Sequence, residues 1–305
     1  MNTFLHRLAD ERLLVADGAT GTNLQAMGLP PGVHTEDWLI EHPERILALE
    51  KAFVDAGADL ILTCTFGGSR LRMKGSRHEA QVRLINQTAA SLAREATASR
   101  PSVLVGGSMG PLGQLLTPLG PITFQEATSA YAEQAQALSE GGVDFLVLET
   151  HFAMDEAKAA LEAVRSVTEL PVVVSFSYDR GTRTMMGVKP EAAAVTFKEL
   201  GTEMIGVNCG TTLENALAVL AQYAAASSGL PIWAKPNAGL PRMDGANTVY
   251  DVTPADMAGF ALAAIGLGAR VIGGCCGSTP AHVRAVAEVV RRERQRGRAT
   301  DPSKG

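Results

Sequence analysis

Eight short apolar runs, each followed by a longer segment rich in Ala, Leu, Glu and Arg, span 305 residues without a break in composition. They predict a single-domain α/β protein, a (β/α)8 TIM barrel. The runs are nearly continuous in apolar residues, as in Leu60-Ile-Leu-Thr-Cys64 and Pro171-Val-Val-Val-Ser-Phe176, the pattern of parallel strands covered on both faces. No glycines fall at i, i+2 and i+5, and no G-x-x-x-x-G-K-[ST] phosphate loop occurs, which disfavours the competing doubly wound open sheet.

In chain order, a strand over 13–19 carries Asp17 at its polar end and precedes a helix over 46–55. Strand 60–66, with Cys64 and Thr65, feeds helix 79–98, and strand 103–108 feeds helix 124–139. Strand 145–150 closes on Glu149 and leads to helix 155–167, and strand 171–178 leads to helix 190–200. Strand 204–209 ends on Asn208 and Cys209 ahead of helix 213–226. Strand 232–236 is followed by Asn237 and helix 254–267, and strand 270–275 runs into Cys275 and Cys276 before helix 280–294. Apolar periodicity is lost after about Val290, so the barrel is expected over 1–295 and a flexible tail over 296–305.

With 46% hydrophobic and 19% charged side chains the chain can bury a large core. Its 27 basic and 32 acidic residues leave a net charge of −5, which offers no broad electrostatic footprint for nucleic acid. The first fourteen residues are charged and amphipathic without the apolar core of a secretory signal. The longest apolar run, 257–269, is closed by Arg270, short of the roughly 18 to 20 residues that a bilayer span requires. Four cysteines, two of them adjacent, do not form a disulfide framework and point to a reducing, cytoplasmic setting with metal or catalytic chemistry.

The active face of such a barrel is built at the strand C-termini. Cys209, Cys275 and Cys276 fall there on strands six and eight, in the pattern of a three-ligand catalytic zinc with an open fourth position. Adjacent side chains of a regular strand point to opposite faces, so a shared ion requires a local bend at Cys275-Cys276. The flanking Gly273, Gly274 and Gly277 permit one. Two other readings stand beside this: small sulfur residues packed near glycines, and a closed four-ligand site completed by Cys64. Three thiolates make zinc a weak Lewis acid, poorly suited to hydrolysis, but leave it able to bind a substrate thiol and lower that thiol's pKa. The reaction class is transfer of an electrophilic group to sulfur. His34, His42 and His151 share no ligand spacing and read as structural or solvated.

The blocks Asp17-Gly-Ala-Thr-Gly-Thr22, Gly57-Ala-Asp-Leu-Ile-Leu-Thr-Cys-Thr-Phe-Gly67, Met109-Gly-Pro-Leu-Gly113, Leu148-Glu-Thr150, Gly206-Val-Asn-Cys209, Lys235-Pro-Asn-Ala-Gly239 and Gly273-Gly-Cys-Cys-Gly277 occur in order at the strand ends. Together they resemble the homocysteine S-methyltransferases, most closely the homocysteine-binding barrel module of cobalamin-dependent methionine synthase. The resemblance runs from about Leu13 to Val290. It implies one zinc per chain on Cys209, Cys275 and Cys276, with homocysteine sulfur completing the tetrahedron. It also implies that Asp17 and Glu149 hold the substrate ammonium, each by a charge-assisted hydrogen bond; a cap and an Arg partner are their alternative roles. Backbone N–H groups at Gly18, Ala19 and Thr20 suit the substrate carboxylate, or form only a tight turn. Asn237 orients substrate or ligand, or bonds loop backbone.

The donor implied is a methylcorrinoid such as methylcobalamin on a partner, either a corrinoid protein or a methyltetrahydrofolate-linked methyltransferase. No His here has Asp two residues before it, so the Asp-x-His-x-x-Gly corrinoid signature is missing. Cys64 stands where methionine synthase modules usually carry Asn. The alternatives are a small onium donor (S-methylmethionine, S-adenosylmethionine or betaine) and a noncatalytic zinc-holding interaction subunit. Betaine favours an aromatic cage, and only Trp38 offers a wall, which helix packing explains equally well.

Overall fold

The computed structural model describes residues 2–10, 12–244 and 247–300. Among them eight parallel strands share one sheet: β1 (Leu14–Val15), β2 (Leu60–Leu62), β3 (Leu104–Met109), β4 (Phe145–His151), β5 (Val172–Phe176), β6 (Met204–Cys209), β7 (Ile232–Pro236) and β8 (Ala269–Ile272). Consecutive strands pair from β2 to β8, and β8 returns to β1 with Val271 opposite Leu14. A parallel bridge between Ala16 and Leu60 closes the barrel predicted from the sequence. The outer ring is α1 (Pro43–Ala56), α2 (Val82–Ala96), α3 (Phe124–Glu140), α4 (Met154–Val167), α5 (Pro190–Glu199), α6 (Leu213–Ala225), α7 (Pro254–Gly266) and α8 (Pro280–Thr300). Among the described residues no helix is long and apolar enough to cross a membrane.

Several boundaries differ from expectation. Strands β1 and β2 are shorter than 13–19 and 60–66 because carboxylates replace part of their ladder. The Val15 N–H donates to Asp59 Oδ2 at 2.9 Å, and the Leu62 N–H donates to Asp17 Oδ2 at 2.7 Å. The last helix runs to Thr300, past the expected boundary at 295, so 296–300 is helix rather than tail. Arg296 pairs with Glu293 one turn earlier, and Arg294 reaches the Leu13 carbonyl and the Asp59 carboxylate, which ties this helix to the barrel floor. Residues 301–305 lie outside the described residues. The loop after β7 also carries an antiparallel pair, Arg242–Asp244 with Asn247–Val249, that the apolar runs do not announce.

The core has two parts. A large cluster fills the space between strands and helices. A smaller one, including Leu14, Leu60, Leu104, Phe145, Val147, Val173, Met204, Trp233 and Val271, fills the barrel interior. The N-terminal helix Thr3–Ala9 plugs the lower end, with Phe4 stacked on Phe145 at 4.2 Å and 6°. Gly106 makes room for the Phe145 ring and Gly206 for the β7 backbone: a Cβ on Gly106 would lie 2.5 Å from Phe145 Cζ, and one on Gly206 2.4 Å from the Trp233 carbonyl oxygen. Side chains alternate along a strand. The inward columns that begin with Phe145 and Val147, Met204, and Trp233 therefore end in Glu149, Asn208 and Lys235, so the barrel is apolar below and polar at its mouth.

Phe145 is fully buried between Phe4 and Trp233. Replacing it with Ala leaves a cavity at the barrel floor and is expected to cost about 3–5 kcal/mol in denaturant unfolding. A loss below about 1 kcal/mol would show that the plug contributes little.

Candidate active site

Cys209 ends β6 in the left-handed region at φ 55°, followed by Gly210 at φ 78°. That turn lifts the thiol out of the strand and over the mouth. After β8 the chain leaves extended geometry through Gly273 and Gly274. The Cys275 N–H donates to the Pro236 carbonyl at 2.7 Å, the Ala238 N–H to the Cys276 carbonyl at 2.8 Å, and the Ser278 N–H to the Cys275 carbonyl at 3.0 Å. The bend that a shared ion requires is thus built by hydrogen bonds to the end of β7. Tyr250 walls it off: a Cβ on Gly277 would lie 2.2 Å from the ring.

The three sulfurs lie within 4.8 Å of one another and are the one candidate metal-binding group among the described residues. Cys209 Sγ and Cys275 Sγ are 2.7 Å apart. Hydrogen bonds from Cys209 and Cys275 lower the Cys276 thiol to about 3, and the same sharing raises Cys209. Three sulfurs converging at this distance offer a single cation a shared set of donors. Three sulfur donors suit a thiophilic, tetrahedral ion such as zinc with its fourth position left to a ligand. Cys64 is elsewhere, buried with its sulfur 3.9 Å from the Thr35 carbonyl, and takes no part in the cluster.

Asn208 braces the sulfurs. Its Oδ1 accepts from the Thr150 N–H at 2.8 Å and the Ser175 hydroxyl at 2.6 Å. Its Nδ2 donates to Thr150 Oγ1 at 2.6 Å and faces Cys209 Sγ at 3.6 Å and Cys275 Sγ at 3.9 Å. Thr150 itself sits at φ 63°, so the two left-handed residues flanking the mouth, Thr150 and Cys209, are held by one buried amide. Asn237 bonds loop backbone: its Nδ2 donates to the Gly210 carbonyl at 2.8 Å and its N–H to the Cys209 carbonyl at 3.2 Å.

The carboxylates sit one layer below. Asp17 is buried and ion-paired with Lys235, at side-chain exposures of 3% and 4%. Burial opposes the charge on Lys235, but Asp17 and Glu149 outweigh it and hold the ammonium above its ordinary pKa. Glu149 accepts from the Ser108 hydroxyl. Burial pushes its pKa from the usual 4.5 to about 7, with Lys235 opposing and Cys275 adding to the rise. In the Gly18–Thr20 turn, the Ala19 N–H is taken by the Ser278 carbonyl at 3.1 Å, and Gly18 is packed against Phe53 and Ser278 with no room for a Cβ.

His151 is fully buried beside Tyr131, and burial lowers its pKa to about 3, which keeps it neutral. Trp38 is 3% exposed under Arg45, a packing residue with no face open to a donor. Lys235 and the bracing role of Asn208 were not singled out in the sequence. The signal was present: Lys235 lies two residues after Trp233 on the inward face of β7, a charge where the alternation places core.

Solved structures with this architecture include a homocysteine methyltransferase, MmuM, from Escherichia coli. The crystal structure of its apo form superposes with a TM-score of 0.74 at 26% identity, over 93% of this chain and 99% of that one. The family model described as homocysteine S-methyltransferase matches residues 14–290, and the chain belongs to that family. It is 32% identical over 320 residues to the methionine synthase of Mycobacterium tuberculosis, and 32% identical over 304 residues to that of Mycobacterium leprae. The alignments cover 96% and 92% of this chain but 26% and 24% of those proteins, so the chain spans about a quarter of their length.

Because Glu149 ionises near 4.5 when unfolded and near 7 when folded, the folded state retains a proton across that window. Folding stability is therefore expected to fall as pH rises from about 4.5 to about 7, relative to a Glu149→Gln variant. Denaturant titrations of both across that range check this, and parallel curves would show that folding does not raise the Glu149 pKa.

Proposed function

We propose that this chain is a zinc-dependent S-methyltransferase module that moves a methyl group to the thiolate of homocysteine and gives methionine. The new C–S bond forms as the donor's bond to the methyl carbon breaks, with that electron pair remaining on the leaving group. The observation that carries this reading is the cluster of Cys209, Cys275 and Cys276 at the barrel mouth, in a chain of this family. Zinc bound there by the three thiolates supplies a soft cation that favours the acceptor sulfur as thiolate.

The chain's own residues do the positioning. Asn208 directs its amide N–H groups at two of the sulfurs and steadies their negative charge. Glu149 faces the mouth with one layer of apolar side chains below it, where a carboxylate binds an amino acid's ammonium more strongly than it does in water. Asp17 is the second carboxylate of the mouth, its charge offset by the ion pair with Lys235. The turn at 18–20 borders the same mouth. No general base is required, because the acceptor is held without its thiol proton.

The donor that best fits the resemblance to methionine synthase is a methylcorrinoid carried outside these residues, since the relatives of that name are about four times as long. One observation favours the other reading, a small onium donor: the E. coli homocysteine methyltransferase is a chain matched over 99% of its length. Free thiols suit a reducing compartment, the cytoplasm.

Cys209→Ala is expected to remove both bound zinc and methyl transfer, read by metal analysis and methionine formation. Full zinc occupancy in that variant would dismiss the ligand set. With homocysteine and zinc in excess, turnover with methylcobalamin or a corrinoid protein supports the first donor. Turnover with S-methylmethionine, S-adenosylmethionine or betaine alone supports the second.

A further inference from the structure

The turn that carries Cys275 and Cys276 leads into α8, and a buried imidazole on the first turn of that helix reaches back toward it. His282 is 8% exposed. Its Nδ1 faces the Thr279 N–H at 3.1 Å and the Thr279 hydroxyl at 2.9 Å, and its Nε2 faces the Val252 carbonyl at 2.9 Å. A backbone N–H can only donate and a carbonyl can only accept, so Nδ1 is an acceptor and Nε2 carries the proton donated to Val252. Val252 belongs to the stem of the loop between β7 and α7. Its N–H donates to the Ala238 carbonyl at 3.1 Å, and the Ala238 N–H donates to the Cys276 carbonyl at 2.8 Å. Two residues before Val252, the Tyr250 ring lies against Gly277, the residue after Cys276, with no space for a Cβ between them. The imidazole therefore does two separable things. It caps the start of α8, as a glutamate or glutamine does at the same position of a capping box, and it holds the Tyr250–Val252 stem on the sulfur-bearing turn.

We infer that His282 is a positioning residue of the sulfur cluster: the Nε2–H donated to Val252 keeps Tyr250 closed against Gly277, and that wall retains a metal ion on Cys209, Cys275 and Cys276. This deepens the zinc-and-thiol reading above and rests on it. His282 acts through Val252, Ala238 and Tyr250 rather than by contact with substrate. Without its donor the Val252 carbonyl must find its partner in water, which favours a stem lifted from the turn. With Tyr250 away from Gly277, water and chelators reach the sulfurs from the side that the ring now covers.

Three substitutions separate the latch from the cap. An ionised glutamate accepts from the Thr279 N–H but has no proton for Val252, glutamine carries both an acceptor and a donor, and alanine carries neither. Hydrogen exchange is followed in the peptides that hold Ala238 and Val252, and zinc transfer from the loaded chain to a chromogenic chelator is timed. His282→Glu and His282→Ala are each expected to speed both at least fivefold, and His282→Gln to stay within twofold of the wild-type chain. Tyr250→Ala, which removes the wall and leaves the latch, is expected to speed zinc transfer without changing exchange at Ala238. A His282→Glu chain that matches wild type in either measurement overturns the inference, because the cap alone then holds the stem or the wall retains nothing. A His282→Gln chain that follows His282→Glu overturns it as well. Should the alanine variant fail to fold, His282→Glu keeps the cap and carries the test. A wild-type chain that takes up no zinc overturns the metal reading, while the exchange measurement still decides whether His282 holds the stem.

Discussion

The site depends on holding three sulfurs together at a barrel mouth, which regular strand geometry forbids. A β-strand sends successive side chains to opposite faces. Cys275 and Cys276 converge only because the chain leaves β8 at Ile272 and is pinned to the end of β7 by backbone hydrogen bonds. Cys209 joins them only because it adopts a left-handed conformation. Each left-handed non-glycine residue costs about 1–3 kcal/mol. Asn208 offsets that strain at Thr150 with two hydrogen bonds and turns the same amide toward the thiols. Strain and function are tied to one buried side chain.

Beneath the sulfurs the barrel changes character over a single layer. Phe4, Phe145 and Trp233 fill its floor, and the inward columns of β4, β6 and β7 end above it in Glu149, Asn208 and Lys235. Aromatic packing fixes the strands from below, so the polar groups above sit on rigid elements rather than on loops. The Asp17–Lys235 pair is not an economical source of stability, since desolvating two charges consumes much of what their attraction returns. Its consequence is electrostatic: it sets the charge that an entering molecule meets. The same Asp17 carboxylate also replaces a strand carbonyl at the β1–β2 seam, so barrel closure and the charge of the pocket share one side chain.

Much of this was legible in one dimension. The alternation of apolar runs and helical segments specified the barrel, and reactive residues at the ends of those runs marked the mouth. Several boundaries were not legible. The shortening of β1 and β2 comes from Asp59 and Asp17 substituting for carbonyls of residues distant in the chain. The extension of the last helix comes from Arg294 reaching Leu13 and Asp59. The hairpin after β7 has no strong apolar pattern, since Arg242 and Met243 are exposed.

The sequence by itself determined the fold class, the family and the three thiols, because hydrophobic period, strand count and residue type are local properties. Only the tertiary structure decided what those residues touch. It separated Cys64 from the other thiols, gave the Ala19 N–H to Ser278, set Asn237 on the Gly210 carbonyl and paired Asp17 with Lys235. Such partnerships form between residues brought together by barrel closure, and no spacing along the chain encodes which neighbour claims a given donor or charge.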